Sequence, residues 1–227
     1  MAEWLLGFFN TLLPVFLSGV VITLKLTAVG LVMGFVIGLM AAIARVYGGR
    51  YLKAISILYI EVFRGTPLLV QLFLIYFGLP DLGITLDRMT AAYIALSLNS
   101  GAYQAEYLRG AIQSIGSGQM MAARAIGLKR SQAVWHIILP QALRLVIPAW
   151  SNEPVSLLKS SAVVFLIAVP DLMTQAKTIA ARTYDPIGTY LAVGVVYLVL
   201  VFILAVIIQA VEKKVRIPGL ELETRRT

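Results

Sequence analysis

Residues 187–211 read IGTYLAVGVVYLVLVFILAVIIQAV, twenty-five residues without a charged side chain. A helix rises about 1.5 Å per residue, so this run is long enough to cross the roughly 30 Å hydrocarbon core of a bilayer. Four further stretches meet the same length, near 14–44, 52–78, 89–110 and 143–168. Backbone inside lipid must satisfy its own hydrogen bonds, so the expected fold is all-α: a multi-pass transmembrane helical bundle of five spans. Gly48-Gly49-Arg50 and Gly78-Leu79-Pro80-Asp81 are breaker clusters that close the first two spans. Composition agrees, since 59% of the 227 residues are hydrophobic and 13% charged, against about a quarter charged in ordinary globular chains.

The N-terminus lacks the pattern of basic residues, short apolar run and small-residue cleavage site, so the first span is expected to persist as structure. With no internal repeat or linker, one transmembrane domain over 1–227 is expected. The chain has no cysteine and one histidine. That excludes disulfide, thiolate and iron–sulfur chemistry and a histidine metal cluster, so no metal or cofactor is expected.

The net charge of +8 is distributed unevenly. Arg45, Arg50 and Lys53 follow the first span; Arg109, Arg124, Lys129, Arg130 and Arg144 surround the loop after the third; Lys213, Lys214, Arg216, Arg225 and Arg226 end the chain. The other side has only Arg88, Lys177 and Arg182. The positive-inside bias therefore places the N-terminus outside and the C-terminus in the cytoplasm.

The cytoplasmic loop 111–141 is too long for a turn. Ser117 is placed to cap a short helix through Ile126, Gly127 to end it, and Ser131 to cap a second helix, Gln132–Leu139, before Pro140. The first helix, rich in alanine and methionine, suits either a groove on a cytoplasmic protein or the headgroup layer.

Residues 121–140 resemble the conserved loop of ABC importer permeases, where Glu-Ala-Ala is followed by three residues, Gly, nine residues, then Ile, any residue, Leu and Pro. Ala122, Ala123, Gly127, Ile137, Leu139 and Pro140 stand at those positions; Met121 replaces the glutamate. Phe63-Arg64-Gly65-Thr66-Pro67-Leu68-Leu69-Val70-Gln71 and Ala102-Tyr103 through Ala105-Glu106 to Arg109-Gly110 are similar to motifs of the polar amino acid subfamily, the histidine, arginine, glutamine and glutamate importers. The resemblance runs from about 18 to 215. It implies a type I permease domain in a bacterial or archaeal cytoplasmic membrane. It also implies that Met121, Ala122, Ala123, Gly127, Leu139 and Pro140 form a coupling helix and its support, seated in a cytoplasmic ATP-binding cassette subunit. Further partners implied are an extracytoplasmic solute-binding protein, docking on 79–88 and 169–186, and a second or homologous permease forming a dimer.

An ionisable group at the centre of a membrane helix costs at least about 2.5 kcal/mol, so each needs a partner or a task. Glu61 and Arg64 lie three apart near the middle of the second span, where they can pair with each other or leave Arg64 to face substrate. Asn99, Ser100 and Tyr103 fall within the third span, while Glu106 and Arg109 suit a structural pair at its inner boundary. In the fourth, Pro148 and Pro154 flank Asn152 and Glu153, with Lys159, Ser160 and Ser161 following. Broken, polar-lined spans belong where a helix faces protein or a watery cavity.

An amino acid needs donors for its carboxylate and an acid or carbonyl for its ammonium. Arg64 suits the first, Glu153 the second, and Asn99, Tyr103, Ser160 and Ser161 can read a polar side chain, with Glu61 and Thr66 beside them. Resembling permeases often carry an acid or amide where Ser160 stands, which disfavours a dicationic substrate. No Gly-x-x-x-x-Gly-Lys-Ser/Thr loop occurs, so ATP hydrolysis falls to a separate subunit and this chain is not itself an enzyme. The alternative is an ion-coupled secondary amino acid transporter or channel that uses Glu61, Glu106 and Glu153 to relay protons, which five spans without a repeat suit poorly.

Overall fold

The computed structural model describes residues 13–215, and among these there is no strand. Arg216, Arg225 and Arg226, counted with the cytoplasmic side, lie outside the described residues. The elements are α1 (Leu13–Tyr47), α2 (Arg50–Gly65), α3 (Leu68–Phe73, running on through turns to Leu82) and α4 (Arg88–Ser114). After them come α5 (Ser117–Ala125) and α6 (Arg130–Ala133), which continues through a wide turn at Val134–Ile138 into α7 (Leu139–Leu145). The rest is α8 (Ile147–Trp150), α9 (Glu153–Ser160, prolonged to Ile167), α10 (Leu172–Thr183) and α11 (Pro186–Val215).

Two helices, Pro14–Tyr47 and Pro186–Lys214, are long and apolar enough to cross a membrane unaided, and two bent pairs pass the same test jointly. The span expected over 52–78 is broken by an elbow, with α2 and the Leu68–Leu82 segment meeting at 108°. The cause is local. Pro67 crowds the residue before it, and Thr66 sits in extended backbone (φ −120°, ψ 149°) where no helix can continue. The 143–168 stretch bends by 50° between the Arg130–Leu145 and Ile147–Ile167 segments. Pro148 and Pro154 fall in the first turns of α8 and α9, where a missing N–H costs no bond.

The helix α4 runs through the centre, with buried residues along its length from Ala91 to Ile112. Asp87 caps it by accepting from the backbone of Met89 (2.9 Å) and Thr90 (3.1 Å). The Thr90 hydroxyl and these amides hold the exposed Asp87 carboxyl below its ordinary value. Beside the cap, Arg88 donates to the Ala168 carbonyl at 2.7 Å, tying the start of α4 to the end of the fourth stretch.

Gly30, Gly34 and Gly38 fall one helical turn apart on α1 and allow its backbone to touch that of α4. A Cβ on Gly38 would stand 2.7 Å from the Gly101 carbonyl oxygen and 2.9 Å from the Ala105 nitrogen. Gly38→Ala is therefore expected to cost about 1–3 kcal/mol as overpacking. The check is the apparent unfolding midpoint of the purified assembly; an unmoved midpoint would mean the two helices can separate freely.

Apolar clusters pack at both ends of this contact. One joins Leu26, Leu72, Leu96, Leu157 and Val164; the other joins Ala42, Leu108, Ile138, Ala142 and Val146. The polar residues of α4, from Asn99 to Gln104, lie between them in sequence and depth. A third cluster seats α10 against α1 and α11 through Phe16, Leu172 and Val193. Asp171 caps α10 by accepting from the Thr174 amide at 2.9 Å, and burial pushes its carboxyl up from the ordinary value. The remaining face of α11 is open, with Leu198 and Phe202 each 68% exposed.

The helices of the 117–140 segment begin one or two residues earlier than their serines suggest. Gly116, not Ser117, is the N-cap of α5, and Lys129, not Ser131, precedes α6. At the latter the Gln132 side chain reaches back to accept from the Lys129 amide at 2.8 Å, which fixes the start without a serine.

Candidate functional site

The elbow at Gly65–Pro67 leaves α2 with carbonyls that no further turn can satisfy. Gln71 supplies the replacement, donating to the Phe63 carbonyl (2.8 Å) and to the Thr66 carbonyl (3.0 Å). Asn99 of α4 donates to the Gln71 side chain at 3.0 Å and so locks the elbow to the bundle centre. A cavity of about 290 Å³ opens beside this lock. Thr66, Pro67 and Leu68 of the elbow, Asn99, Tyr103 and Tyr107 of α4, and Glu153, Ser156, Leu157 and Ser160 of α9 line it. No lining side chain is a cation.

Glu153 is 5% exposed, yet it faces this cavity and accepts from the Ser100 hydroxyl at 2.6 Å. The chain of bonds continues inward. Ser100 accepts from Gln104 (2.9 Å), and the Gln104 carbonyl oxygen accepts from the Trp150 indole (2.7 Å). Gln104 is fully buried and also donates to the Leu31 carbonyl of α1 at 3.1 Å. A buried carboxylate held by neutral hydroxyls is costly until a cation joins it.

Five of the eight residues expected at a substrate site line this cavity: Thr66, Asn99, Tyr103, Glu153 and Ser160. Glu61, Arg64 and Ser161 do not. The Ser161 hydroxyl is buried and donates to the Leu158 carbonyl at 2.8 Å, turned a helical step away from Ser160. Tyr107 and Ser156 escaped the sequence reading, although the helical period carries both. Asn99, Tyr103 and Tyr107 recur every four residues, and Glu153, Ser156 and Ser160 follow the same face of α9.

Of the two readings open for Glu61 and Arg64, mutual pairing gives way to a wider cluster around Glu106. Arg45 approaches Glu106 to 2.6 Å, Arg109 to 2.8 Å and Arg64 to 3.7 Å. Glu61 instead faces Arg45 at 3.8 Å and is largely exposed. Glu106 is the most enclosed of these groups, at 15% side-chain exposure, so it draws the guanidinium groups of α1, α2 and α4 towards one point. Arg64 also lies over the Tyr103 ring, 5.5 Å from its centroid, which sets it behind the cavity wall. The Arg109–Glu106 pair has the three-residue spacing read from sequence.

A second surface lies in the 117–140 segment. The α5 helix ends at Gly127 with φ +86°, where the Leu128 amide donates to the Ala123 carbonyl and the Gly127 amide to the Arg124 carbonyl, both at 3.1 Å. This paired closure needs a left-handed residue, which glycine adopts without a Cβ penalty. Ala123 is buried, while Met121 (65%) and Ile126 (76%) project outward with Ala122. Leu139 is buried behind them and Pro140 is exposed. The exposed Met121, Ala122 and Ile126, flanked by exposed Gln119 and Arg124, suit a groove on another protein.

The family model described as "Binding-protein-dependent transport system inner membrane component" matches residues 34–217. The arginine transport system permease protein ArtQ of Bacillus subtilis (strain 168) is 40% identical over 205 residues, covering 90% of this chain and 94% of the relative. The glutamine transport system permease protein GlnP of Escherichia coli (strain K12) is 38% identical over 209 residues, with 90% and 94% covered. A crystal structure of an amino acid ABC transporter with histidines superposes with a TM-score of 0.81 at 39% identity, covering 88% of this chain and 94% of that one. An inward-facing structure of the MetNI methionine ABC transporter shares the fold, with a TM-score of 0.76 at 22% identity. The chain belongs to the inner membrane components of binding-protein-dependent transport systems.

Proposed function

We propose that the chain is the permease subunit of an ABC importer for a polar L-amino acid in a bacterial or archaeal cytoplasmic membrane. The observation that carries this reading is the buried Glu153 in a polar cavity whose lining has no cation. An amino acid's ammonium supplies the missing charge, while the hydroxyls of Tyr103, Tyr107, Ser156 and Ser160 offer donors to its carboxylate or polar side chain. Relatives named for arginine and glutamine support the same substrate class. In this reading Arg64 shapes the wall through Glu106 and Tyr103, with Glu61 outside the site.

Five crossings are proposed, α4 being the third and each bent pair one crossing, with the N-terminus outside. A cytoplasmic ATP-binding cassette subunit grips α5 through Met121, Ala122 and Ile126, supported by Ala123, Gly127, Leu139 and Pro140. A loaded extracytoplasmic binding protein docks on 79–88 and 169–186. Two permeases, identical or homologous, enclose the path, and closure of the ATPases exposes the Glu153 cavity to each side in turn.

Reconstitution tests this. Uptake into vesicles is expected to require cytoplasmic-side ATP, the ATPase partner and the external binding protein together. Uptake driven by a proton gradient through this chain alone would overturn it.

A further inference from the structure

A second cleft, of about 490 Å³, has different chemistry. It lies between Leu31 and Phe35 of α1, the 143–154 stretch including Leu143 and Trp150, and the Leu204–Val211 turns of α11. Every lining side chain is apolar. The single polar atom of Trp150, its indole N–H, is already engaged by Gln104. In a membrane helix bundle an apolar cleft of this kind is filled by hydrocarbon.

One end of the cleft is basic. Lys214 follows Val211 by three residues, so it stands one turn beyond the cleft on the same face of α11, next to Lys213. Arg144 precedes Ile147 by three residues and stands at the corresponding end of the 143–154 wall. All three are exposed, against one neighbouring acid, the half-buried Glu212. In the orientation given above, both α11 and the 143–154 wall have these ends on the cytoplasmic side.

We propose that this cleft is a binding site for an anionic phospholipid, one acyl chain lying along Leu31, Trp150 and Leu204 and the headgroup held by Arg144 and Lys214. Lipid tails gain little from leaving other lipid tails, so preference for one lipid over another must come from the headgroup, and basic pockets between membrane helices are where anionic headgroups bind. A second copy of the chain suits the cleft less well. A two-fold axis along the membrane normal keeps every residue at its own depth, so a partner face meeting the rim of the cleft would carry the same basic cytoplasmic end, like charge against like. The site also touches transport, because the indole that walls the cleft is three hydrogen bonds from Glu153, through Gln104 and Ser100.

The test is photolabelling of the complete transporter in vesicles. The probes are phosphatidylglycerol and phosphatidylcholine, each with a diazirine at the end of one acyl chain. Label is expected to concentrate in 143–154 and 204–211, with phosphatidylglycerol favoured about fivefold or more, the factor that even one basic headgroup contact contributes. The double variant R144Q/K214Q, altered only at exposed positions, is expected to bring the two lipids to near-equal labelling, and Ile207→Trp to remove cleft label while Leu198 stays labelled. Equal labelling by both lipids in the unaltered chain, or label at Leu198 and Phe202 as strong as in the cleft, would overturn the proposal. So would a disulfide between two copies carrying Leu204→Cys, which the absence of native cysteine makes unambiguous.

Discussion

Replacing Glu106 by glutamine is expected to lower the stability of the permease by about 1–3 kcal/mol, less than for a fully buried pair because the three guanidinium groups that lose their anion keep 21–38% side-chain exposure. Arg45, Arg64 and Arg109 all converge on this one carboxylate, whose side chain is 15% exposed. The readout is the apparent melting midpoint of the purified complex and its yield in the membrane. Arg64→Ala gives the contrast. Arg64 sits 3.7 Å from Glu106, is 38% exposed, and leaves Arg45 and Arg109 in place when removed, so its loss is expected to move the midpoint much less. An Arg64→Ala protein with an unmoved midpoint and no uptake would instead assign Arg64 to the substrate carboxylate. A Glu106→Gln protein as stable as the parent would show that the arginines find other partners.

Gly127→Val is expected to leave ATP hydrolysis running while uptake falls at least tenfold. Valine at φ +86° carries about 1–3 kcal/mol of backbone strain, enough to unwind the closing turn of α5. No heavy atom lies within 4 Å of where its Cβ would be placed, so the effect comes from the backbone and not from a clash. Gly127→Asn separates the two causes, because asparagine tolerates the left-handed region and should retain most of the uptake. Normal uptake by the valine variant would remove α5 from the transmission of ATP-driven closure. Loss of uptake in both variants would point to side-chain bulk at the docked surface.

Membrane character and the helical runs around α1 and α11 are legible from sequence because hydrocarbon admits few alternatives. The elbow was not. Pro67 is visible, but whether a proline kinks a helix or ends it depends on who takes the stranded carbonyls, and the takers are Gln71 and, 36 residues away from Phe63, Asn99. Spacing leaves Glu61 and Arg64 open between pairing and facing substrate for a related reason. Three residues apart on a helix is enough for a pair, yet a more enclosed acid on α4 outcompetes the local one. Spacing would have found Tyr107 and Ser156 had the stripes begun by Asn99 and Glu153 been followed. The link from Trp150 to Gln104 spans 46 residues and has no local signature, so only the folded chain brings it out.

The glycine contact between α1 and α4 has a kinetic corollary. Helices whose side chains interlock can slip by changing rotamers, but a main chain pressed against another main chain has no such freedom. Gly34 and Gly38 against Gly101 therefore weld the first and central helices into a single girder. Whatever motion admits and releases cargo must carry that girder whole and spend its bending at the Thr66 elbow and the proline-marked joints around Val146 and Ser151, the places where the chain has already given up helical continuity.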